Sequence, residues 1–147
     1  MPDDYLRLDQ QICFALYRAS RAIIRAYGPL LEPLGLTYLQ YLVLLVLWEE
    51  DGVPVRHLGE RLSLDSATLT PLLKNLENDG VVTRARDEAD QRVVRIALTE
   101  KGRGLKAKAR KVPKEVGCLL GMVDAPSAAR LGKLKEQLNA LSAQLEA

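Results

Sequence analysis

Two cysteines, Cys13 and Cys118, carry the most reactive chemistry in this chain, and they stand 105 positions apart. Two thiols are too few for a disulfide scaffold, and their spacing fits no zinc motif. Each is either a buried small hydrophobe or a redox-active sulfur. The company around Cys13 is phenolic. Tyr17 follows at i+4 on the same helical face. Tyr27 shares that face fourteen residues on, about 21 Å away along a straight helix rising about 1.5 Å per residue. Tyr27 therefore cannot touch Cys13 of its own helix, but it can touch Cys13 of an antiparallel partner helix across a dimer axis. Phenolic hydroxyls donate hydrogen bonds that favour a thiolate over a thiol. A thiolate reacts with peroxide to give a sulfenic acid, and a second thiol can condense with it to a disulfide. Cys118 is the only other thiol in the chain. His57, the lone histidine, has no second ligand at motif spacing and reads as a surface or packing residue. No catalytic triad, Gly-rich phosphate loop or paired-carboxylate site is present, so no metal and no cofactor is expected.

A second constellation spans residues 55–98 and points to nucleic acid. Leu69, Leu72, Leu73 and Leu76 recur at i, i+3, i+4, i+7, an amphipathic helix. Thr70, Lys74, Asn75 and Asn78 lie opposite that stripe, with Thr68 beside them. These are polar groups able to meet phosphates and base edges. The period then changes. VVTRAR, a turn DEADQ and RVVRIAL read as a hairpin carrying Arg84, Arg86, Arg92 and Arg95. A short helix, a tight turn, a second helix and a basic hairpin can set the second helix in a DNA major groove and the hairpin against backbone or minor groove. The plainer alternative is a solvated polar face on an ordinary helical domain.

The remaining elements must hold these groups. Residues from about Asp4 to Tyr27 read as a helix with Leu6, Cys13, Leu16, Tyr17, Ser20, Ile24 and Tyr27 on one face and Arg18, Arg21 and Arg25 on the other. Gly28-Pro29 is expected to end it. Thr37 and Gln40 have capping-box spacing ahead of an apolar run, Tyr41 to Trp48, that implies burial on most sides. Val55 to Leu62 forms a short helix with Val55, Leu58 and Leu62 inward. Pro71 lacks a backbone donor and is expected in the first turn of the next helix, which places the cap near Thr68 or Thr70 rather than Asp65. Thr99 caps a long basic helix to about Leu120, bent at Pro113. Leucines 131, 134, 138, 141 and 145 form a heptad seam in the last helix, suited to pairing between chains.

Composition fits this plan. The chain has 147 residues, 48% hydrophobic and 27% charged, which suits one globular domain and excludes disordered or collagen-like chains. Net charge is +2 overall. It concentrates in the middle: residues 54–111 are positive, residues 1–53 negative and residues 112–147 neutral, a pattern that favours a polyanionic partner. No apolar run reaches about 18 residues, and the acidic start lacks a secretory layout. A cytoplasmic protein with no membrane partner is the expectation.

The string LDSATLTPLLKNLENDGVVTRARDEADQRVVRIALTEKG resembles the winged-helix core of MarR-type transcriptional regulators, with Asp90 and Arg92 in the Asp-x-Arg positions of the wing. QICFALYRASRAI and PLLEPLGLTYLQYLVLLVLWE resemble one branch, the organic hydroperoxide resistance regulators. The resemblance implies a mainly α fold with a small β-hairpin wing. It would form a single domain over residues 1–147, with a DNA-binding core at about 37–98 and dimerisation helices at about 4–34 and 99–147. It implies an intertwined homodimer that, when reduced, represses by binding a pseudo-palindromic double-stranded operator. Cys13 matches the peroxide-sensing cysteine. Tyr27 and Tyr38 match tyrosines that hydrogen-bond it from the partner subunit, Tyr17 matches a further pocket tyrosine, and Cys118 matches the resolving cysteine of an intersubunit disulfide. Asp65 would brace Arg92 of the wing, and Ser66 joins Thr68, Thr70, Lys74, Asn75, Arg84, Arg86 and Arg92 as a DNA-contacting residue. Ala67 departs from the glycine common in relatives. On this reading an organic hydroperoxide, lipid hydroperoxides among them, enters an apolar pocket near Phe14, Leu16 and Trp48 and acts as inducer. Three rivals remain at this level: a MarR-type regulator of a phenolic or drug-like ligand with incidental cysteines, a thiol peroxidase, and a helical interaction module that binds no DNA.

Overall fold

The first long helix begins only after Gln11, whose extended backbone separates it from two 3-10 turns at Asp4–Leu6 and Leu8–Gln10. The fold was obtained as a computed structural model that describes residues 3–147. Helix α1 runs Ile12–Leu31 and passes straight through Pro29, so the expected start at Asp4 and stop at Gly28-Pro29 both move. A proline inside a helix removes one rung, here to the Arg25 carbonyl. Gly28 and Pro29 are exposed, and the extra turn brings Leu31 into the core at 1% exposure.

Helix α2, Tyr38–Glu49, starts with the expected capping box. The Gln40 N–H donates to Thr37 Oγ1, and the Thr37 N–H donates to Gln40 Oε1 at 2.9 Å. Its Tyr41, Val43, Leu44, Val46 and Leu47 are all buried, as an all-round apolar helix requires. A two-residue strand that the sequence did not announce, β1 (Val53–Pro54), leads into α3, Val55–Leu62. Helix α4 is Ser66–Asn78. The turn between them places Ser63 at φ 53°, and its tightness depends on Gly59. A Cβ there would lie 2.9 Å from the Leu64 carbonyl oxygen and 3.3 Å from Leu69.

Asp65 is the cap of α4, accepting from the Thr68 N–H at 2.8 Å, so the helix begins one turn earlier than Pro71 suggested. The carboxylate cap outweighs the single rung lost at Pro71. Strands β2 (Val82–Arg86) and β3 (Val94–Leu98) form the expected hairpin, and the sheet order is β1-β3-β2, antiparallel throughout. Leu58, Leu69, Leu73, Leu76, Val82 and Ile96 are at most 1% exposed, which welds α3, α4 and the sheet onto α2.

Helix α5 (Glu100–Ala109) is clamped at its first turn. Thr99 Oγ1 donates to the Gly80 carbonyl and accepts from the Gly102 N–H. Trp48 Nε1 donates to the Gly102 carbonyl at 3.0 Å, and Lys101 reaches the Asp79 carbonyl. Gly102 is required there, because a Cβ would sit 2.3 Å from the Val81 carbonyl oxygen. The single bent helix expected from Thr99 to Leu120 is instead two. Helix α5 ends at Ala109, and α6 runs Val112–Leu119 with Pro113 in its first turn. Pro113 has no N–H for the Ala109 carbonyl, and its ring crowds that carbonyl, so the chain breaks just ahead of it.

The molecule divides into two compact units, one ending at Arg110 and one beginning at Lys111. The second holds α6 and α7, Ala125–Glu146. Asp124 and Ser127 cap α7 reciprocally, with the Ser127 N–H donating to Asp124 Oδ1 at 2.8 Å. Its seam residues Leu134, Leu138, Leu141 and Leu145 all remain exposed in the single chain. No single helix among the described residues is long and apolar enough to cross a membrane.

Candidate functional site

Helix α4 and the wing share one rim. Ser66, Thr68, Thr70, Lys74 and Asn75 are all exposed on α4, and Thr70 Oγ1 donates to the Ser66 carbonyl. On the hairpin, Arg84, Arg86 and Arg92 are exposed. An open cleft between the wing and the start of α3 is lined by Thr70, Arg84 and Arg92 together, so the structure brings these three predicted contacts to one surface. Arg86 crosses the hairpin to the Gln91 carbonyl at 2.7 Å.

Arg92 is held by Asp90. Its Nε and Nη2 donate to the two carboxylate oxygens at 3.1 Å each, and its backbone N–H donates to Oδ1 at 3.0 Å. The guanidinium and the backbone N–H hold the Asp90 carboxyl below its usual range, and the carboxylate pushes Arg92 up. The expected brace from Asp65 to Arg92 is absent among the described residues, because Asp65 is engaged as the cap of α4, which lowers its pKa in turn. Asp87, which the sequence reading passed over, has a larger part than Asp65 in the wing. It accepts from Arg95 and from the Ala89 and Asp90 N–H groups, and all three pull its carboxyl down. His57 lies at the base of the same cleft, its Nε2 3.6 Å from Glu50.

The thiol side has a different character. Cys13 is exposed in the first turn of α1, where free N–H groups and the axial dipole gather positive potential and no acidic residue intervenes. Tyr17 is 59% exposed, with the Arg21 guanidinium 5.4 Å from its ring centre. Tyr27, at the other end of α1, packs on Tyr38 with ring centres 4.7 Å apart and on Tyr41 at 5.7 Å. Burial pushes all three phenols above the ordinary value of 10.0, and the neighbouring rings add to this at Tyr27. Tyr41 was hidden from sequence reading inside an apolar run. The hollow beside Phe14 is lined by Arg7, Leu8, Asp9, Gln11, Ala15 and Arg18. Leu16 and Trp48 are not part of it, since Trp48 is committed to α5. Cys118 is an exposed free thiol on α6.

Comparison with known proteins agrees with this geometry. Residues 25–109 match the SarA/Rot transcriptional regulator family. The chain is 54% identical over 142 residues to the HTH-type transcriptional regulator TtmR of Methylorubrum extorquens, covering 97% of this chain and 73% of that one. It is 47% identical over 138 residues to the organic hydroperoxide resistance transcriptional regulator of Bacillus subtilis, covering 94% and 91%. Among solved structures it is similar to AbfR of Staphylococcus epidermidis. Against reduced AbfR bound to DNA the TM-score is 0.80 at 34% identity, covering 99% and 97% of the two chains. Against the disulfide-formed state it is 0.66 at 36% identity, covering 100% and 98%. With an exposed polar recognition helix, an arginine-bearing wing and these relatives, the chain belongs to the SarA/Rot/MarR-type winged-helix family and is a DNA-binding transcriptional regulator rather than an enzyme.

Proposed function

We propose that this regulator is a peroxide-sensing repressor that works as a homodimer. The observation that carries the reading is the layout of α1. A free thiol occupies its first turn, and near the other end of this unbroken helix from Ile12 to Leu31 Tyr27 packs on Tyr38 and Tyr41 of α2. Fourteen residues separate Cys13 from Tyr27, about 21 Å, so the phenols serve the sulfur of a second copy. The uncovered face of α1, with Ile12, Tyr17 and Ile24 exposed, and the uncovered leucine seam of α7 support such a pairing. The similarity to a hydroperoxide resistance regulator and to a protein solved in reduced DNA-bound and disulfide states supports the redox chemistry.

The steps balance simply. The Cys13 thiolate attacks the outer oxygen of an organic hydroperoxide, the O–O bond breaks, and the alcohol leaves after taking a proton. The product is a Cys13 sulfenic acid. The Cys118 thiol of the partner copy attacks that sulfur, water leaves, and a disulfide joins the subunits. Tyr17, Tyr27 and Tyr38 stabilise the anionic sulfur before attack. The new bond changes the spacing of the two α4 helices, and the pseudo-palindromic operator is released.

The test is an electrophoretic mobility shift on the DNA upstream of the protein's own gene. Cys13→Ser is expected to bind that DNA and to stay bound when cumene hydroperoxide is added. Release of DNA by that variant removes Cys13 as the sensor. Cys118→Ser is expected to form the sulfenic acid without a crosslinked band on a non-reducing gel. Persistence of the band removes Cys118 as the resolving thiol.

A further inference from the structure

The sheet that carries the wing also takes in the chain just ahead of α3. Strand β1 contributes two residues to the sheet, with Val53 opposite Ile96 and Pro54 opposite Arg95. Pro54 sits at a position of this edge strand whose nitrogen faces away from β3, so the proline costs the ladder nothing. The Arg95 side chain adds a tie beside this strand. Its Nη1 donates to the Gly52 carbonyl at 2.9 Å, just ahead of β1 and α3, while its Nε donates to Asp87 Oδ2. The other oxygen of Asp87 accepts the Ala89 N–H at 2.8 Å and the Asp90 N–H at 3.1 Å, shaping the turn from which Arg92 projects. The Asp87 carboxylate is only 17% exposed although it sits on a hairpin.

We propose that Asp87 and Arg95 are positioning residues for operator binding: the relay from wing turn through Asp87 and Arg95 to the Gly52 carbonyl sets the wing relative to α3 and α4. The proposal rests on the wing being a DNA-contacting element. Arg95 lines the same cleft as Thr70, Arg84 and Arg92, but its guanidinium joins Asp87 to the Gly52 carbonyl, 43 positions away, whereas that of Arg92 is paired with Asp90, two residues off. Only a planar fork with separated donors spans a carboxylate and a carbonyl at once, so lysine is not equivalent at this position.

Two substitutions separate positioning from charge, because for each the relay predicts a result that charge alone does not give. Asp87→Asn removes a negative group near DNA, and by electrostatics alone it should bind more tightly. Under the relay it binds about tenfold more weakly, the scale of one lost contact. Arg95→Lys keeps the charge and by electrostatics alone leaves affinity unchanged. Under the relay it too weakens binding about tenfold. Affinity is read by fluorescence anisotropy of reduced protein on a duplex that the wild-type protein has selected from a random-sequence pool. Circular dichroism confirms that each variant is folded at the assay temperature, and either variant alone suffices. Asp87→Asn binding as tightly as wild type or tighter, or Arg95→Lys binding like wild type, overturns the relay. Arg92→Ala is measured alongside. If it weakens binding while the other two do not, only the relay falls. If it has no effect, the wing contact and the relay fall together.

Discussion

Arg92 and Asp90 stand two residues apart in sequence and share a two-pronged ion pair, which orients an arginine whose side chain is 90% exposed. The phenols of α1 and α2 are held by packing on one another instead. Tyr27, Tyr38 and Tyr41 all have pKa values raised above 10.0 in the fold, so the folded state favours their protonated form. The stability this contributes is complete below pH 10 and is lost as pH rises through the native values, because the unfolded chain ionises first. Urea midpoints measured across that range should fall for the wild type, and they should fall less for Tyr41→Phe. An identical pH dependence for the two would show that Tyr41 has no share in the effect. That Cys13, Tyr17 and Tyr27 lie along one helix was readable from their spacing. Tyr41 was not readable, because a tyrosine among valines and leucines carries no signal of the two rings it will meet.

At the level of elements, turns were the decisive features. Gly59 allows the chain to fold from α3 into α4, and its missing Cβ is filled by the Leu64 carbonyl and Leu69. Gly59→Ala should destabilise the protein by about 1–3 kcal/mol, the usual scale for forced overpacking, seen as a lower thermal midpoint. A midpoint equal to wild type would mean that the turn relaxes freely. The sequence made α2 and the hairpin plain, since a Thr–Gln capping box and a change of period are local signals. It misled at the prolines. Pro29 and Pro71 lie within helices whose burial or capping outweighs one lost rung, whereas Pro113 does break its helix, one turn earlier than expected. The family resemblance links Asp65 to Arg92 of the wing, whereas in the fold its carboxylate caps α4. Strand β1 is too short to leave a pattern at all. The Asp87–Arg95 contact spans eight residues through a turn whose geometry the sequence does not announce.

At the scale of the whole molecule, the large apolar residues that the single chain leaves open fall at residues 5–8, along α1, at residues 119–123 and on the seam of α7. Replacing Leu138 and Leu141 together with Asp should yield a smaller species by sedimentation. It should also weaken operator binding on the order of a hundredfold, because half-sites are then engaged one at a time. A sedimentation coefficient unchanged from wild type would detach the seam from assembly. The first turn of α5 has a complementary consequence. Hydrogen bonds to Trp48 of α2 and to the carbonyls of residues 79–81, just after α4, converge within residues 99–102 and tie that joint from two sides. Helix α5 therefore acts as a handle fused to the DNA-reading face. A displacement of its distal end would carry α4 and the hairpin along with it.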